Sequence, residues 1–274
     1  MLSAAPFERI LALTPHACEM LYAIGASEQI VAGVSYCDYP AAAKALPRIG
    51  SYQGINVEAA LRLKPDAAIV MNRHVKGVAQ LEQMGVRIIV SNPADFEAVF
   101  EDMLSIGKLT GHNNEAALLV QKQRLRLAQV RRITKEQFAS TAHPRVFYEL
   151  WYDPIITAGG TSFITALIQE AGGNNIFADV ALETPHVNVE AVIRAKPEII
   201  IIPLEKRNMK ERKVFWKHWL GDKGGLRFAA IDPDLLHRPG PRLIEGLELL
   251  QQVFMQIGVK DHAQNTPSID LVEH

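Results

Sequence analysis

The sequence predicts an α/β protein made of two similar lobes that one long helix joins. Three observations indicate this fold: a motif that recurs once in each half, strands that alternate with helices, and a strand-free stretch between the halves. Alternating strands and helices favour parallel sheets, and 274 residues suffice for two lobes of ordinary size. We expect an N-terminal lobe at 8–111, a linking helix at 112–140 and a C-terminal lobe at 141–258.

The repeated motif predicts one helix–turn–strand unit in each lobe. Residues 56–66 read NVEAALRLKPD and residues 188–198 read NVEAVIRAKPE, with seven of eleven positions identical. The asparagine is a natural N-cap, the glutamate two residues later is favoured by the helix dipole, and the proline ends the helix. An aliphatic strand is expected directly after each copy, at 67–70 and 199–202.

The remaining elements follow from hydrophobic periodicity and from glycines that stop helices. In the first half, we expect strands at 10–13, 30–34 and 87–90 and helices at 18–24 and 75–84. In the second half, we expect strands at 145–150 and 228–231 and helices at 162–171 and 241–257. Apolar residues recur at helical spacing from 115 to 138, which predicts the linking helix.

Composition and termini limit the possible partners and locations. A net charge of −1 gives no basic field for nucleic acid, and no run of about 18 apolar residues could span a bilayer. The first six residues lack the charged and apolar regions of a signal peptide, so we expect a cytoplasmic protein or one whose signal peptide was removed. Residues 259–274 are set apart as a tail that could include a purification-tag remnant.

The two cysteines allow two interpretations. Cys18 and Cys37 each follow a predicted strand of the first lobe, and they are too few for a disulfide scaffold or a zinc site. They could form a disulfide in an oxidising compartment. Alternatively, they are two small buried hydrophobic residues.

Loops that follow the predicted strands carry the candidate ligand contacts, because open α/β sheets bind ligands at the carboxyl ends of their strands. Aromatic residues form only 7% of the chain, yet these loops contain Tyr36, Tyr52, Trp151 and Tyr152. Together they predict a wide, apolar, stacking cleft. The same loops also contain four histidines, which are either ligand contacts or solvated loop residues: His16, His74, His186 and His237.

Enzymatic function has little support in the sequence. The chain contains no GxSxG elbow, P-loop or GxGxxG motif, and its histidine spacing matches no zinc motif. We therefore expect no catalytic residues, no resident cofactor and no bound metal. The enzyme alternative is a metal-dependent hydrolase, which requires the loop histidines to converge on zinc beside an acidic base.

Several short motifs across residues 8–258 resemble one known family. They are TP at 14–15, YCDYP at 36–40, GSYQG at 50–54, DP at 153–154, SFI at 162–164 and AGGNNIF at 171–177. This pattern resembles the class III periplasmic substrate-binding proteins of ABC importers, and in particular their corrinoid branch. The resemblance implies two Rossmann-like lobes joined by a rigid helix, with cobalamin as the transported ligand in the cleft between them.

The loops and the resemblance together give the expected site residues. Ligand contacts are expected from Pro15, His16, Ala17, Tyr36, Tyr52, Asn72, Trp151, Tyr152, Thr184, Asp234 and Arg238. The resemblance implies that Glu58 and Glu190, one in each lobe, dock on arginines of an inner-membrane permease dimer with ATPase subunits. It also implies a periplasmic protein, which we expect to be a monomer.

Two other cargoes of the same class stay open. A haem carrier would use a histidine or tyrosine as axial ligand, for which His16, Tyr36 and His237 are candidates. A ferric-siderophore carrier would place basic residues against an anionic chelate, and Arg73 and Arg238 are the candidates for that role.

Overall fold

A computed structural model describes residues 5–51, 53–203, 209–221 and 226–258 of the chain. These residues divide into two compact units. The first runs up to Leu125 and includes Arg238–Pro241, and the second contains Arg126–His237 and the residues from Arg242 onward. The division therefore falls inside the predicted linking helix. Tyr52 and the predicted tail at 259–274 lie outside the described residues.

The first unit is built on a four-stranded sheet. The strands of this unit, in chain order, are β1 Ile10–Ala12, β2 Ile30–Gly33, β3 Gly50–Ser51, β4 Gly54–Ile55, β5 Ala67–Val70 and β6 Arg87–Val90. Its helices are α1 Pro15–Ala23, α2 Val57–Arg62, α3 Val78–Gln83 and α4 Phe96–Thr110, with 3₁₀ turns at Ser27–Gln29 and Ala41–Ala45. The sheet has the order β2-β1-β5-β6 with parallel pairings, and β3 and β4 form a separate antiparallel pair.

Helix α5, Asn113–Gln137, starts in the first unit and ends in the second, where a mixed sheet forms the core. The strands are β7 Arg145–Tyr152, β8 Ile155–Thr157, β9 Asn174–Asn175, β10 Ile199–Pro203 and β11 Arg227–Ile231. The helices are α6 Phe163–Glu170, α7 Val189–Ala195, α8 Met209–Leu220, α9 Pro233–Leu236 and α10 Leu243–Gly258. The order is β11-β10-β7-β8, with β9 also paired to β7; only β8 runs antiparallel to its partner.

The predicted helix stops are confirmed by backbone conformation. Gly25, Gly85 and Gly172 have φ angles of 84°, 88° and 92°, in the left-handed region that glycine adopts without strain.

Helix α8 was not predicted. Trp216 is its only buried residue among those described, so its sequence lacks the apolar stripe that marks a core helix.

The two copies of the motif adopt the same local structure. The Asn56 side chain accepts a hydrogen bond from the Ala59 amide at 3.0 Å, and the Asn188 side chain accepts one from Ala191 at 2.9 Å. Both predicted N-caps are therefore confirmed. The motif lysines, at positions 64 and 196, both have φ of 47°, so the chain turns into its strand through the same left-handed residue.

An arginine at the start of the first strand of each unit completes this turn: Arg9 directly precedes β1, and Arg145 is the first residue of β7. Arg9 Nε donates to the Leu63 carbonyl at 2.9 Å, and the Arg9 amide donates to the Asp66 carboxylate at 3.1 Å. In the second unit, Arg145 Nε donates to the Lys196 carbonyl at 2.7 Å, and its amide donates to the carboxylate of residue 198 at 2.8 Å. We call each set of contacts an arginine clamp; it joins the helix end to the neighbouring strand.

Each unit has its own apolar core. In the first unit, Leu11, Ala68, Leu81 and Ile88 pack together on the sheet and are buried. In the second, the Phe147 and Trp216 rings meet edge to face with centroids 5.2 Å apart, beside strands β10 and β11. This contact holds α8 on the sheet, although the sequence of α8 lacks a clear apolar stripe.

Replacing either cap asparagine should destabilise the unit that contains it. Asn56→Ala and Asn188→Ala each remove a side-chain acceptor from the first helical turn, which we expect to lower the free energy of unfolding by about 1 kcal/mol. Urea denaturation of each variant measures the change. Asn188→Asp retains a capping oxygen and should recover most of the loss; equal losses for Ala and Asp would contradict the capping role.

Candidate functional site

The loops after β1, β2, β5 and β6 lie at one edge of the first unit because the paired strands are parallel. In the loop after β2, Tyr36 is 45% exposed. Arg48 holds this loop by donating to the carbonyls of Val34, Cys37 and Ala43 at 2.6 to 3.1 Å. The sequence reasoning did not identify Arg48, whose partners are known only from the folded chain.

Asn72, in the loop after β5, is half-buried. Its Oδ1 accepts a hydrogen bond from the His74 amide at 2.9 Å, which closes a local turn. The amide group of this side chain has no other hydrogen bond among the described residues. The two N–H donors of the Asn72 side chain are therefore not used within the described residues.

His16 is a structural residue in this fold, and its prediction as a ligand contact needs correction. The residue is 2% exposed, and its Nε2 lies 3.0 Å from Ser91 Oγ, 3.1 Å from the Ser91 carbonyl and 3.3 Å from Thr14 Oγ1. Burial lowers its pKa to about 4. His16 thus joins the start of α1 to the end of β6. Its neighbours Pro15 and Ala17, also predicted contacts, are buried too.

The contacts around Ser91 differ from those of a catalytic triad. Ser91 Oγ donates to Asp102 Oδ2 at 2.6 Å, so the carboxylate holds the serine rather than the histidine. In a triad, the acid orients the imidazole, and the imidazole takes the serine proton. Ser91 is itself buried, which places the group out of reach of a substrate.

Arg238, a predicted ligand contact, is buried and has two ionic partners in the first unit. Its Nη1 lies 3.0 Å from Glu19 Oε1 and 2.7 Å from Asp38 Oδ1, and the residue is only 8% exposed. Glu19 is also buried, so removing the guanidinium would leave an uncompensated charge in the interior. This ion pair also fixes Asp38, two residues after Tyr36. The sequence signal for this ion pair is Glu19, a lone glutamate within the largely apolar sequence of α1.

The two cysteines lie side by side in the first unit as free, buried thiols. Their side chains are hydrogen-bonded to each other, and Cys37 Sγ also donates to the Ala12 carbonyl at 3.4 Å. The hydrogen bond that the Cys18 thiol donates to Cys37 raises the pKa of Cys18, and burial raises it further. The predicted disulfide is therefore absent from this structure, and the buried-hydrophobe alternative describes both residues.

Aromatic residues end strand β7 in the second unit. Trp151 and Tyr152 are 42% and 45% exposed, and their rings stack with centroids 5.3 Å apart. Trp151 Nε1 donates to the Asp153 carbonyl at 3.0 Å, which fixes the indole plane. The two rings therefore form one exposed aromatic surface at the end of β7.

Two further predicted contacts lie on loops of the second unit. Thr184 is exposed, and the residues on either side of it are held by backbone bonds to Gly159 and Thr157 at 2.9 and 3.1 Å. Asp234 is half-buried in the first turn of α9, where its amide donates to Asp232 at 2.9 Å. Both residues are thus positioned by hydrogen bonds of their own loops.

His237 already has a partner within the second unit. Its Nε2 lies 2.7 Å from the hydroxyl of Tyr148, which is fully buried and whose pKa is raised by that burial. An axial bond to haem iron through this nitrogen would have to break the contact. Across the described ranges, no three His, Cys, Asp or Glu residues cluster closely enough to hold a metal ion.

The two repeated glutamates have different surroundings. Glu58 is exposed on α2 and forms an ion pair with Arg62 at 2.6 Å. Glu190 is exposed on α7, and within the described part of the chain its carboxylate has no ion-pair partner, although Arg194 occupies the matching position. Glu190 instead borders a pocket of about 570 Å³.

The two α/β units, the carboxyl-edge loops and the surface glutamates define a binding protein, and the chain belongs to the periplasmic binding protein family. The model of that family matches residues 10–215. No described helix combines the length and apolarity needed to cross a bilayer.

The chain is also similar to individual members of this family whose ligands are named. The chain is 30% identical over 253 residues to the vitamin B12-binding protein of Photorhabdus laumondii, covering 92% of this chain and 89% of the relative. It is 29% identical to the solved periplasmic vitamin B12 binding protein BtuF of Vibrio cholerae, with a TM-score of 0.78, covering 93% of this chain and 99% of that one. The haem-binding protein BhuT has the same fold, with a TM-score of 0.83 at 21% identity, covering 93% of this chain and 100% of that one.

Acid should destabilise the first unit through His16. Because the folded pKa of about 4 lies below the ordinary 6.5, the unfolded chain binds the proton first as pH falls. We expect this residue to cost roughly 1.4 kcal/mol of unfolding free energy per pH unit between pH 6.5 and 4. Urea denaturation of the wild type and of His16→Gln at several pH values measures the difference.

The control for this experiment is His74→Gln, which removes an exposed histidine from the same unit. Its stability should follow pH in parallel with the wild type. His16→Gln should lose part of the acid sensitivity. An unchanged pH profile for His16→Gln would show that the buried imidazole is not the responsible group.

Proposed function

We propose that this protein is a periplasmic carrier that captures cobalamin or a related corrinoid and delivers it to an ABC importer. The observation that carries the proposal is similarity over nearly the whole chain to proteins named vitamin B12-binding, on the same fold. A carrier needs only reversible contacts with its ligand. The predicted contact residues agree with this role, because they can stack on a ligand or form hydrogen bonds with it.

The exposed aromatic residues support a broad, flat ligand. Tyr36 in the first unit and the Trp151–Tyr152 stack in the second present rings at the carboxyl ends of strands. Stacking on such rings suits the apolar faces of a macrocycle. Asn72, Thr184 and Asp234 would supply hydrogen bonds to peripheral amide groups of the corrin.

The side chains that favour the other cargoes have partners in the folded units. Arg73 forms an ion pair with Glu82, and Arg238 lies between Glu19 and Asp38, so neither offers an uncompensated charge to an anionic siderophore. The Nε2 atoms of His16 and His237 are hydrogen-bonded inside their own units, which disfavours both as haem ligands. A corrinoid requires neither feature.

Cobalamin should bind with micromolar or tighter affinity in parallel absorbance and calorimetric titrations with cobalamin, cobinamide and haem. Tyr36→Ala should weaken cobalamin binding by roughly five- to tenfold, because one stacking ring contributes about 1 kcal/mol. Tyr39→Ala, an equally exposed tyrosine of the same loop, serves as the control. A Soret band with haem and no uptake of either corrinoid would replace cobalamin by haem as the cargo.

Replacing both repeated glutamates should impair docking on the importer without changing the affinity for the ligand. We expect Glu58→Gln with Glu190→Gln to reduce cobalamin transport by the reconstituted importer at least tenfold, since both carboxylates are exposed and would face permease arginines. Cobalamin affinity should stay within twofold. Glu101→Gln with Glu211→Gln, one exposed glutamate from each unit, is the matched control. Loss of cobalamin affinity in the first double variant would place the glutamates in the ligand site instead.

A further inference from the structure

A pocket beside Glu190 gives the second unit a feature that the repeated motif alone does not predict. Its volume is about 570 Å³, and its walls come from the β7–β8 turn, the start of α7 and helix α8. Its lining includes Tyr152, Asp153, Glu190, Arg212, Phe215 and Trp219. They belong to a single compact unit.

The charge of this pocket is negative. Arg212 forms a two-bond ion pair with the buried Glu149, and Trp216 Nε1 donates to the same carboxylate at 3.0 Å. The positive charge in the wall is therefore compensated from beneath. The carboxylates of Asp153 and Glu190 have no ion-pair partner within the described ranges, so two negative charges remain for an incoming group.

The rings of the pocket suit a planar cation. The Arg212 guanidinium lies 4.1 Å from the centre of the Phe215 ring, so one stacked cation is already part of the wall. Trp219 is 47% exposed, and its ring centre is 6.4 Å from that of Phe215. Tyr152 also lines the pocket, and its ring centre lies 5.9 Å from the Arg212 guanidinium carbon. An indole beside two carboxylates favours a guanidinium, which stacks flat and forms paired hydrogen bonds, over the more compact ammonium group of lysine.

We propose that this pocket receives an arginine side chain of the partner that docks on Glu190, with Asp153 as second carboxylate and Trp219 as stacking wall. The inference rests on the proposed docking function and makes the two acidic contacts inequivalent. Glu58 has its own arginine, Arg62, as partner, and must exchange it on docking. Glu190 has no such partner and lies on a preformed pocket, so the second unit would contribute the larger share of the docking free energy.

The first test uses the full chain and a small probe. Nuclear magnetic resonance titration with N-acetyl-arginine amide should give saturable shifts at α7 and α8. N-acetyl-citrulline amide, which has nearly the same shape without the charge, should bind at least tenfold more weakly. Asp153→Asn should weaken arginine-amide binding severalfold, whereas Glu211→Gln, an exposed acid of α8, should not. Equal binding of the two amides would overturn the proposal.

The second test measures docking on the reconstituted permease in lipid nanodiscs. Trp219→Ala and Asp153→Asn should each weaken docking about tenfold and leave cobalamin affinity unchanged. Val214→Ala, an exposed apolar residue of the same helix that does not line the pocket, is the control. Circular dichroism checks that each variant is folded. Docking as strong as the wild type in both pocket variants would refute the proposed role.

The two tests separate this inference from the proposed function. A chain that prefers the arginine amide but binds no corrinoid would retain the pocket and lose the cargo assignment. A chain that binds cobalamin but does not distinguish arginine from citrulline amide would retain the cargo and lose the pocket.

Discussion

The arginine clamp is the interaction on which the positions of the other elements depend. In each unit, only three or four residues separate the end of a helix from the start of a strand, and the carbonyl groups at the helix end lack partners within the helix. Arg9 and Arg145 bond these carbonyls, while Asp66 and Glu198 bond the amides of the same arginines. The clamp thereby fixes α2 and α7 on their sheets. Because Glu58 and Glu190 lie in the first turns of those helices, the clamp also fixes the positions of these two glutamates.

Burial decides which edge residues remain available to a ligand. Parallel pairing brings the strand-end loops of a unit to one edge, but the polar groups at such an edge must also hold the loops together. His16 and Arg238 serve that purpose, since their hydrogen-bonding atoms contact Ser91, Glu19 and Asp38. The rings of Tyr36, Trp151 and Tyr152 stay exposed. The surface that remains is suited to stacking and amide hydrogen bonds rather than to a concentrated charge.

The two units share a motif but present it differently. On α2, an arginine one turn later neutralises Glu58. On α7, the equivalent arginine makes no such contact within the described residues, and the aromatic face of α8 and the β7–β8 turn lie beside the glutamate. The buried pair of Glu149 and Arg212 supports this arrangement from below, with Trp216 as a further donor. A duplicated sequence can therefore give one glutamate that is paired with an arginine and one that has no ion-pair partner among the described residues.

The sequence by itself determined the α/β class, the duplicated helix–turn–strand motif, the asparagine caps and the glycine stops. These features depend on residues a few positions apart, so periodicity and capping chemistry reveal them. Only the tertiary structure decided that His16 is buried, that Arg238 pairs with Glu19 across 219 residues, and that Asp153 and Trp219 share a pocket with Glu190. The contacts of Arg9 and Arg145 were not predicted either, because their partners lie more than 50 residues away in the sequence. A contact between residues distant in sequence is set by how sheets and helices pack, and no local pattern records that packing.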